Sequence, residues 1–373
     1  MAFLLQNRCA SIILLFHFLV YLSTTQNVCC AQNLKKQNVS NNSILAAFVF
    51  GDSTVDPGNN NYIKTLFKSD FLPYGVDFEG HTPTGRFSNG RLATDFIASY
   101  MGIKEAIPAY LDPNLSLEDL ITGVSFASAG TGYDPLTAVK TSVIDMSKQL
   151  EYFDEYKKRI KSMIGKKRMN ELMKRSAFVI SCGSNDIIYT YGLVDSPLQP
   201  YTSPTYLRFL LDQSISFVQG LLDRGATKIA VVSLPPVGCV PAVIESHPSY
   251  NNNKPRQCVE SLSSLAIDFN QMLQSELKTI QASKPTSTVI YADIYTPLQD
   301  QIYHPLKYGF EEVDKFCCGT GLLEGTFLCN ALTNVCKDRS KYVFWDAIHP
   351  TERSYALIFE ALRPLIDIIL TKP

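Results

Sequence analysis

A chain of 373 residues that is 46% hydrophobic and 18% charged has the makeup of a globular protein, with the length to bury a large core in one domain or two. A net charge of −1 gives nucleic acid nothing to hold in bulk, and 20 Gly and 20 Pro scattered without period exclude a collagen-like or low-complexity chain.

Residues 1–31 read as a signal peptide. Arg8 precedes an apolar stretch from Ser11 to Leu22. About a dozen apolar residues suit a signal-peptide core and fall short of the ~20 that span a bilayer. Cleavage is expected near Ala31, because polar Thr24, Thr25, Gln26 and Asn27 follow at once; a retained signal anchor is the alternative. Residues 32–43 are polar and read as a loose tail. No later segment is apolar for long enough to be a membrane helix.

One domain is expected over residues 44–370. Ile44–Phe50, Ala177–Ser181, Ile229–Leu234 and Thr288–Ala292 are continuous runs rich in Val and Ile, as strands buried on both faces are. A fifth, shorter strand is expected near Gly123–Phe126. Between them, Leu150, Phe153, Tyr156, Ile160 and Met163 recur at helical spacing, Leu207–Leu222 and Leu262–Leu277 read alike, and a last helix starts at Thr351. Alternating strands and helices predict a mostly parallel five-stranded sheet covered on both sides, with its ligand crevice beyond the carboxyl ends of the strands.

Two sequence blocks fall at that edge. Phe48-Val49-Phe50-Gly51-Asp52-Ser53 ends the first strand, and Gly183-Ser184-Asn185-Asp186 follows the second. Ser53 is a candidate nucleophile, which needs a base to take its proton. Of the five His, His17 lies in the leader and His81 in a Gly/Pro-rich loop; His247, His304 and His349 each precede a Pro. The residues three earlier are Ile244, Gln301 and Asp346, so His349 alone has a carboxylate at that spacing to orient its ring. The alternative for His349 is a cap on the last helix. The Gly-rich turn Ala127-Ser128-Ala129-Gly130-Thr131-Gly132 and the amide of Asn185 offer donors to an oxyanion, along with the Ser53 N–H; a plain tight turn and an Asx-turn are their alternatives. No G-x-S-x-G, phosphate-loop or HExxH motif occurs.

Ten Cys fit secretion. Cys9, Cys29 and Cys30 lie in or beside the leader, and seven remain, an odd number. Cys239 and Cys258 bracket a Pro/Asn-rich loop and are expected to bridge. Cys317, Cys318, Cys329 and Cys336 read as a stapled loop, with a zinc site as the competing reading. Cys182 ends a strand and reads as a buried small residue. In a secreted chain the Asn-x-Ser triplets at Asn38, Asn41 and Asn114 are glycosylation candidates and predict surface positions.

These residues resemble the GDSL, or SGNH, hydrolase superfamily and in particular its plant branch of GDSL esterases/lipases, from about Ile44 to Ile369. The four blocks are Gly51-Asp52-Ser53, Phe126-Ala127-Ser128-Ala129-Gly130, Gly183-Ser184-Asn185-Asp186 and Asp346-Ala347-Ile348-His349-Pro350. Asp56-Pro57-Gly58-Asn59-Asn60-Asn61, the stretch from Thr84 to Arg91, Leu234-Pro235-Pro236-Val237-Gly238-Cys239 and Phe316-Cys317-Cys318-Gly319 also look plant-like. Thr54 stands where the family name implies Leu, Ser125 where Asn is usual, and Cys182 where a small apolar residue is common; Ser125 is expected to loosen the turn that presents Gly130. The resemblance implies a flavodoxin-like three-layer α/β/α sandwich. It implies ester hydrolysis through an acyl-enzyme, without metal or cofactor, by Ser53, His349 and Asp346, with Ser53, Gly130 and Asn185 as the oxyanion hole. It also implies a secreted protein of the apoplast or cell wall, acting on a small-molecule or polymeric ester with no obligate protein partner.

Two rivals stand beside hydrolysis: acyl transfer to an alcohol, and a non-catalytic binding or defence protein on the same fold. The basic run Lys157-Lys158-Arg159, Lys161 and Lys166-Lys167-Arg168 reads as a solvated helix face or as a contact for a lipid surface or acidic polysaccharide. A histidine base must be neutral to accept a proton, so activity is expected to fall as pH drops below about 6–7.

Overall fold

A computed structural model of the chain describes residues 44–192, 203–246, 257–319 and 329–371. The expected signal peptide (residues 1–31) and polar tail (residues 32–43, with Asn38 and Asn41) and His247 lie outside them. Strands β1 (Ala46–Gly51), β2 (Ser176–Ser181), β3 (Lys228–Val232) and β4 (Thr288–Ala292) form one sheet in that order, all parallel. Register runs Phe48 to Phe178, Phe178 to Ile229 and Ile229 to Val289.

The expected fifth strand is present as a bonded edge, not as a regular strand. Residues 122–128 run parallel to β1: Phe126 N–H donates to Val49 O at 2.8 Å and Ser128 N–H to Gly51 O at 2.9 Å. The segment's outer edge carries one parallel bridge, Ala109 to Ser125, with Tyr110 N donating to Ser125 O and Ser125 N to Pro108 O at 2.9 Å each, and the Asn59 amide donates to Ser125 O and Ala127 O at 2.9 and 2.8 Å. With this segment beside β1, the chain direction across the sheet reverses between β1 and β2, which is where open α/β sheets bind ligands.

The helices that position the site are α1 (Ala93–Tyr100), α2 (Met146–Ile164), α3 (Lys166–Lys174), α4 (Ser203–Asp223), α5 (Glu260–Ser283), α6 (Tyr295–Tyr303) and α7 (Glu352–Thr371). The Asp145 carboxylate accepts from Lys148 N at 2.7 Å and starts α2. Its buried stripe, Met146, Gln149, Phe153, Tyr156 and Ile160, keeps three of the five expected positions and is shifted one turn toward the amino end, with Leu150 half-buried and Met163 exposed. Even positions of β1 and β2 face that layer: Phe48 and Phe178 meet Phe153 at ring distances of 5.6 and 5.8 Å, and Phe50 meets Phe217 of α4 at 5.5 Å. The opposite face lies under α1, α6 and α7, and α7 packs against α1, α6 and β4.

A two-stranded parallel sheet, β5 (Glu312–Phe316) with β6 (Tyr342–Phe344), leads into the last helix. Thr351 caps that helix rather than opening it, its hydroxyl accepting from Ser354 N at 3.2 Å. Cys239 and Cys258 form a disulfide, and the four cysteines with the staple and zinc alternatives pair as Cys317–Cys336 and Cys318–Cys329. Cys182 is free and buried, and burial pushes its thiol well above the ordinary range, which makes it a poor nucleophile. Among the described residues no helix is long and apolar enough to cross a membrane.

Candidate active site

Ser53 follows β1 directly because Gly51 closes the strand against β2. Gly51 has φ +135°, and a Cβ there would stand 1.8 Å from Ser181 O. The Gln149 side chain of α2 pairs with both Gly51 backbone groups, at 2.9 Å each. Thr54, the departure from the family name, donates to Asp52 Oδ1 at 2.7 Å and pairs with Ser181 Oγ at 2.8 Å, so it fixes the same turn. Asp52 is buried, and burial raises its carboxyl to about 6 against the Thr54 bonds and the His349 charge.

His349 lies in the loop between β6 and α7. Asp346 folds that loop on itself: Oδ1 accepts from Ile348 N at 2.9 Å and His349 N at 2.7 Å. The same carboxylate then meets the His349 ring, each oxygen 2.9 Å from Nδ1. An ionised carboxylate only accepts, so Nδ1 carries the proton and Nε2 is left as acceptor. Nε2 lies 2.8 Å from Ser53 Oγ. Side chains 296 positions apart in the chain thus share one hydrogen bond. Asp346 is wholly buried, which alone would raise its carboxyl, yet the His349 charge and the hydrogen bonds hold it below the usual carboxylate range.

Spacing alone did not separate the histidines. His304 also meets a carboxylate, Asp300 four residues earlier, at 2.7 Å. It is exposed and has no hydroxyl partner among its bonds, so what distinguishes His349 is burial and Ser53.

Asn185 is buried and donates from Nδ2 to Thr131 O at 2.8 Å, which leaves a second N–H on that nitrogen. Gly130 adjoins Thr131, with φ +89° and the Phe67 ring 3.1 Å from where a Cβ would stand. Among the described residues neither Ser53 N–H nor Gly130 N–H has an acceptor in the chain. The expected loosening by Ser125 is not found. Its hydroxyl donates to Val55 O at 3.0 Å and accepts from Ala127 N at 3.2 Å, so it ties the Gly130 turn to the Ser53 loop. Asp56 and Asn60 brace the same turn, through Ala129 N and Ala129 O at 2.9 Å each. That is the structural use of the Asp56–Asn61 block.

A largely apolar cavity of about 80 Å³ opens on Ser53, Asn185 and His349. It runs under the catalytic edge between the sheet and the α1/α7 layer, walled by Ile97, Val179, Val232, Ile358 and Leu362. Tyr355 lines it too, its buried hydroxyl without a partner among the described residues.

The basic run sits elsewhere. Lys158, Arg159, Lys161, Lys166, Lys167 and Arg168 are exposed. α2 begins beside Gly51, so at 1.5 Å per residue these charges lie about 14–18 Å or more along it, toward the amino ends of the strands. Asn114 is exposed, as its triplet predicts. Gln149 and Tyr74, whose hydroxyl bonds Asp346, were not singled out by sequence. Gln149 had a signal, being a polar residue on an apolar helical stripe; Tyr74 had none.

The family model for GDSL-like Lipase/Acylhydrolase matches residues 48–362 and so spans every block of the site. The chain belongs to that family. Among curated GDSL esterases/lipases, Arabidopsis thaliana At5g45960 is 48% identical over 340 residues, covering 90% of each chain. At1g06990 of the same plant is 41% identical over 364 residues, 96% of this chain and all of that one. Among solved structures, the lipase Lip_vut3 from a goat rumen metagenome aligns over 86% of this chain and 96% of its own, at 12% identity and a TM-score of 0.38.

Proposed function

We propose that this GDSL family member is a secreted serine esterase that hydrolyses carboxylic esters with an apolar acyl part. The observation that carries the reading is the unbroken chain Ser53 Oγ, His349 Nε2, His349 Nδ1, Asp346, with links of 2.8 and 2.9 Å, at the mouth of an apolar cavity. Ser53 Oγ attacks the ester carbonyl as its proton passes to Nε2. The oxygen of the tetrahedral adduct takes up charge toward Ser53 N–H, Gly130 N–H and the second Asn185 N–H. Collapse breaks the bond to the alcohol, which leaves with the proton from Nε2. Water then attacks the acyl-serine, losing its proton to His349 Nε2; the acyl–Oγ bond breaks as that proton passes to Ser53 Oγ, and the acid departs. Asp346 stays ionised throughout and stabilises the imidazolium.

Three disulfides and the apolar leader support secretion. Asn114 is the described glycan candidate. The basic face at the far end of α2 takes no part in the chemistry and is offered only as a separate contact for an acidic polysaccharide or lipid surface.

The test is a panel of esters run beside Ser53→Ala. Turnover lost in the variant, fluorophosphonate labelling of wild type alone, and free acid as the product in the presence of an acceptor alcohol support the reading. Turnover that survives Ser53→Ala overturns it, and acyl transfer as the main product replaces hydrolysis.

A further inference from the structure

We propose that Tyr74 is a positioning residue for the Ser53–His349–Asp346 chain, setting through its hydroxyl how Asp346 supports the His349 imidazolium. Tyr74 has no exposed surface, and its Oη donates to Asp346 Oδ2 at 2.7 Å. Oδ1 of that carboxylate has two backbone donors of its own, Ile348 N and His349 N. Among the described residues Oδ2 has only Tyr74 beside the shared imidazole N–H. Tyr74 therefore fixes the half of the carboxylate that the local loop leaves unheld.

The ring cannot swing away. It packs edge-on against Phe71 and Phe87 at 5.6 Å and against Trp345 at 6.3 Å. Phe87 in turn lies over the His349 ring at 4.8 Å. Gly75 N donates to Ser88 O at 3.0 Å, and Ser88 Oγ to the carbonyl of Pro350, the residue after His349, at 3.3 Å. Disulfide cysteines Cys317, Cys318 and Cys329 complete the small core around Tyr74. Tyr74 is not in the wall of the apolar cavity, so a change there does not reach the ester.

Burial, then the Asp346 charge, pushes the Tyr74 phenol far above its ordinary range, so it remains a donor at any assay pH. The groups facing His349 are Asp346, Ser53 and the carboxyl of Asp52; the Tyr355 phenol faces both carboxyls. All of these stay in place when Tyr74 changes. The O–H dipole points its positive end at Oδ2 and so weakens the pull of the carboxylate on an imidazolium. Its loss strengthens that pull and frees Oδ2 to turn. The first effect moves the acid limb of activity to higher pH, and the second lowers the plateau.

The inference rests on the esterase reading only for its turnover measurements. Tyr74→Phe keeps the ring and its packing. It is expected to lower kcat about five- to tenfold with KM within about twofold, and to raise the acid limb of kcat/KM by about half a pH unit to one. NMR of the His349 ring in a Ser53→Ala background needs no turnover and should show the ring titrating at a higher pH with Tyr74→Phe. Fluorotyrosine at position 74, a stronger donor in the same shape, should move both readouts to lower pH, and it decides the matter if Tyr74→Phe does not fold. Tyr74→Phe that lowers only thermal stability, with the acid limb and the NMR titration unmoved, would overturn the proposal, as would both substitutions shifting the titration the same way. Absence of turnover with the NMR shifts intact would count against the esterase reading alone.

Discussion

Removing the Asn185 side chain is the sharpest test of the oxyanion hole. The amide has two N–H groups on Nδ2. One is committed to Thr131 O at 2.8 Å, and the other is free for the reacting oxygen. On the proposed mechanism Asn185→Ala removes one of three donors from the transition state, together with its bond to Thr131 O beside Gly130. Loss of one such donor costs about 3–4 kcal/mol of barrier, or about 10²- to 10³-fold in kcat. Thr131 O is left without that partner, worth about 1 kcal/mol of stability. In a chain of this size that is a fall of about 2 °C in thermal midpoint, too small to explain the lost rate. The assay is steady-state hydrolysis of a short p-nitrophenyl ester, with active sites counted by fluorophosphonate labelling. kcat should fall at least a hundredfold while KM changes by less than about threefold. A variant that keeps more than a tenth of wild-type kcat would show that Asn185 only braces the turn.

Two further predictions follow from the interior. Ile97→Phe adds bulk to the wall of the cavity; on p-nitrophenyl esters of rising acyl length it should cut turnover of octanoate more than about tenfold and leave acetate nearly unchanged, at a packing cost of about 1–3 kcal/mol, whereas equal losses at every length would show that the acyl chain lies elsewhere. Burial raises Asp52 and Asp56 to about 6 and Asp186 to about 7 from an ordinary 3.8, despite the hydrogen bonds each accepts. The folded state then binds more protons than the unfolded one between about pH 4 and 7, so stability falls as pH rises through that window. Asp346, held low, acts oppositely and only below about pH 4. The thermal midpoint of Ser53→Ala protein should thus be higher at pH 5 than at pH 7.5, opposite in sense to the expected activity profile, and a midpoint that rises across that range would contradict the burial argument.

The amino-acid order alone determined the four buried strands, because Val/Ile runs such as Ala177–Ser181 suit only a position covered on both faces. It also determined that Ser53 and Asn185 share an edge, since each follows a parallel strand directly. The Asp346–His349 pairing was legible for a local reason: a carboxylate that binds the backbone two and three residues on brings that ring back to itself. Tertiary structure decided the rest. Which cysteines pair, the bracing by Ser125, Asp56 and Asn60, the seat of Gln149 under Gly51, and the bond from Tyr74 across 272 positions to Asp346 are contacts with no periodicity in sequence. Along residues 122–128 the expected short strand is an edge held by isolated bridges to Val49 and Ala109, and an amide from a distant loop also takes the carbonyls of Ser125 and Ala127. Hydrogen bonds within a turn or a strand repeat at fixed spacing and leave a pattern in the residues. Those between separate loops depend on where the packed core sets them, and that is fixed only when the whole chain has folded.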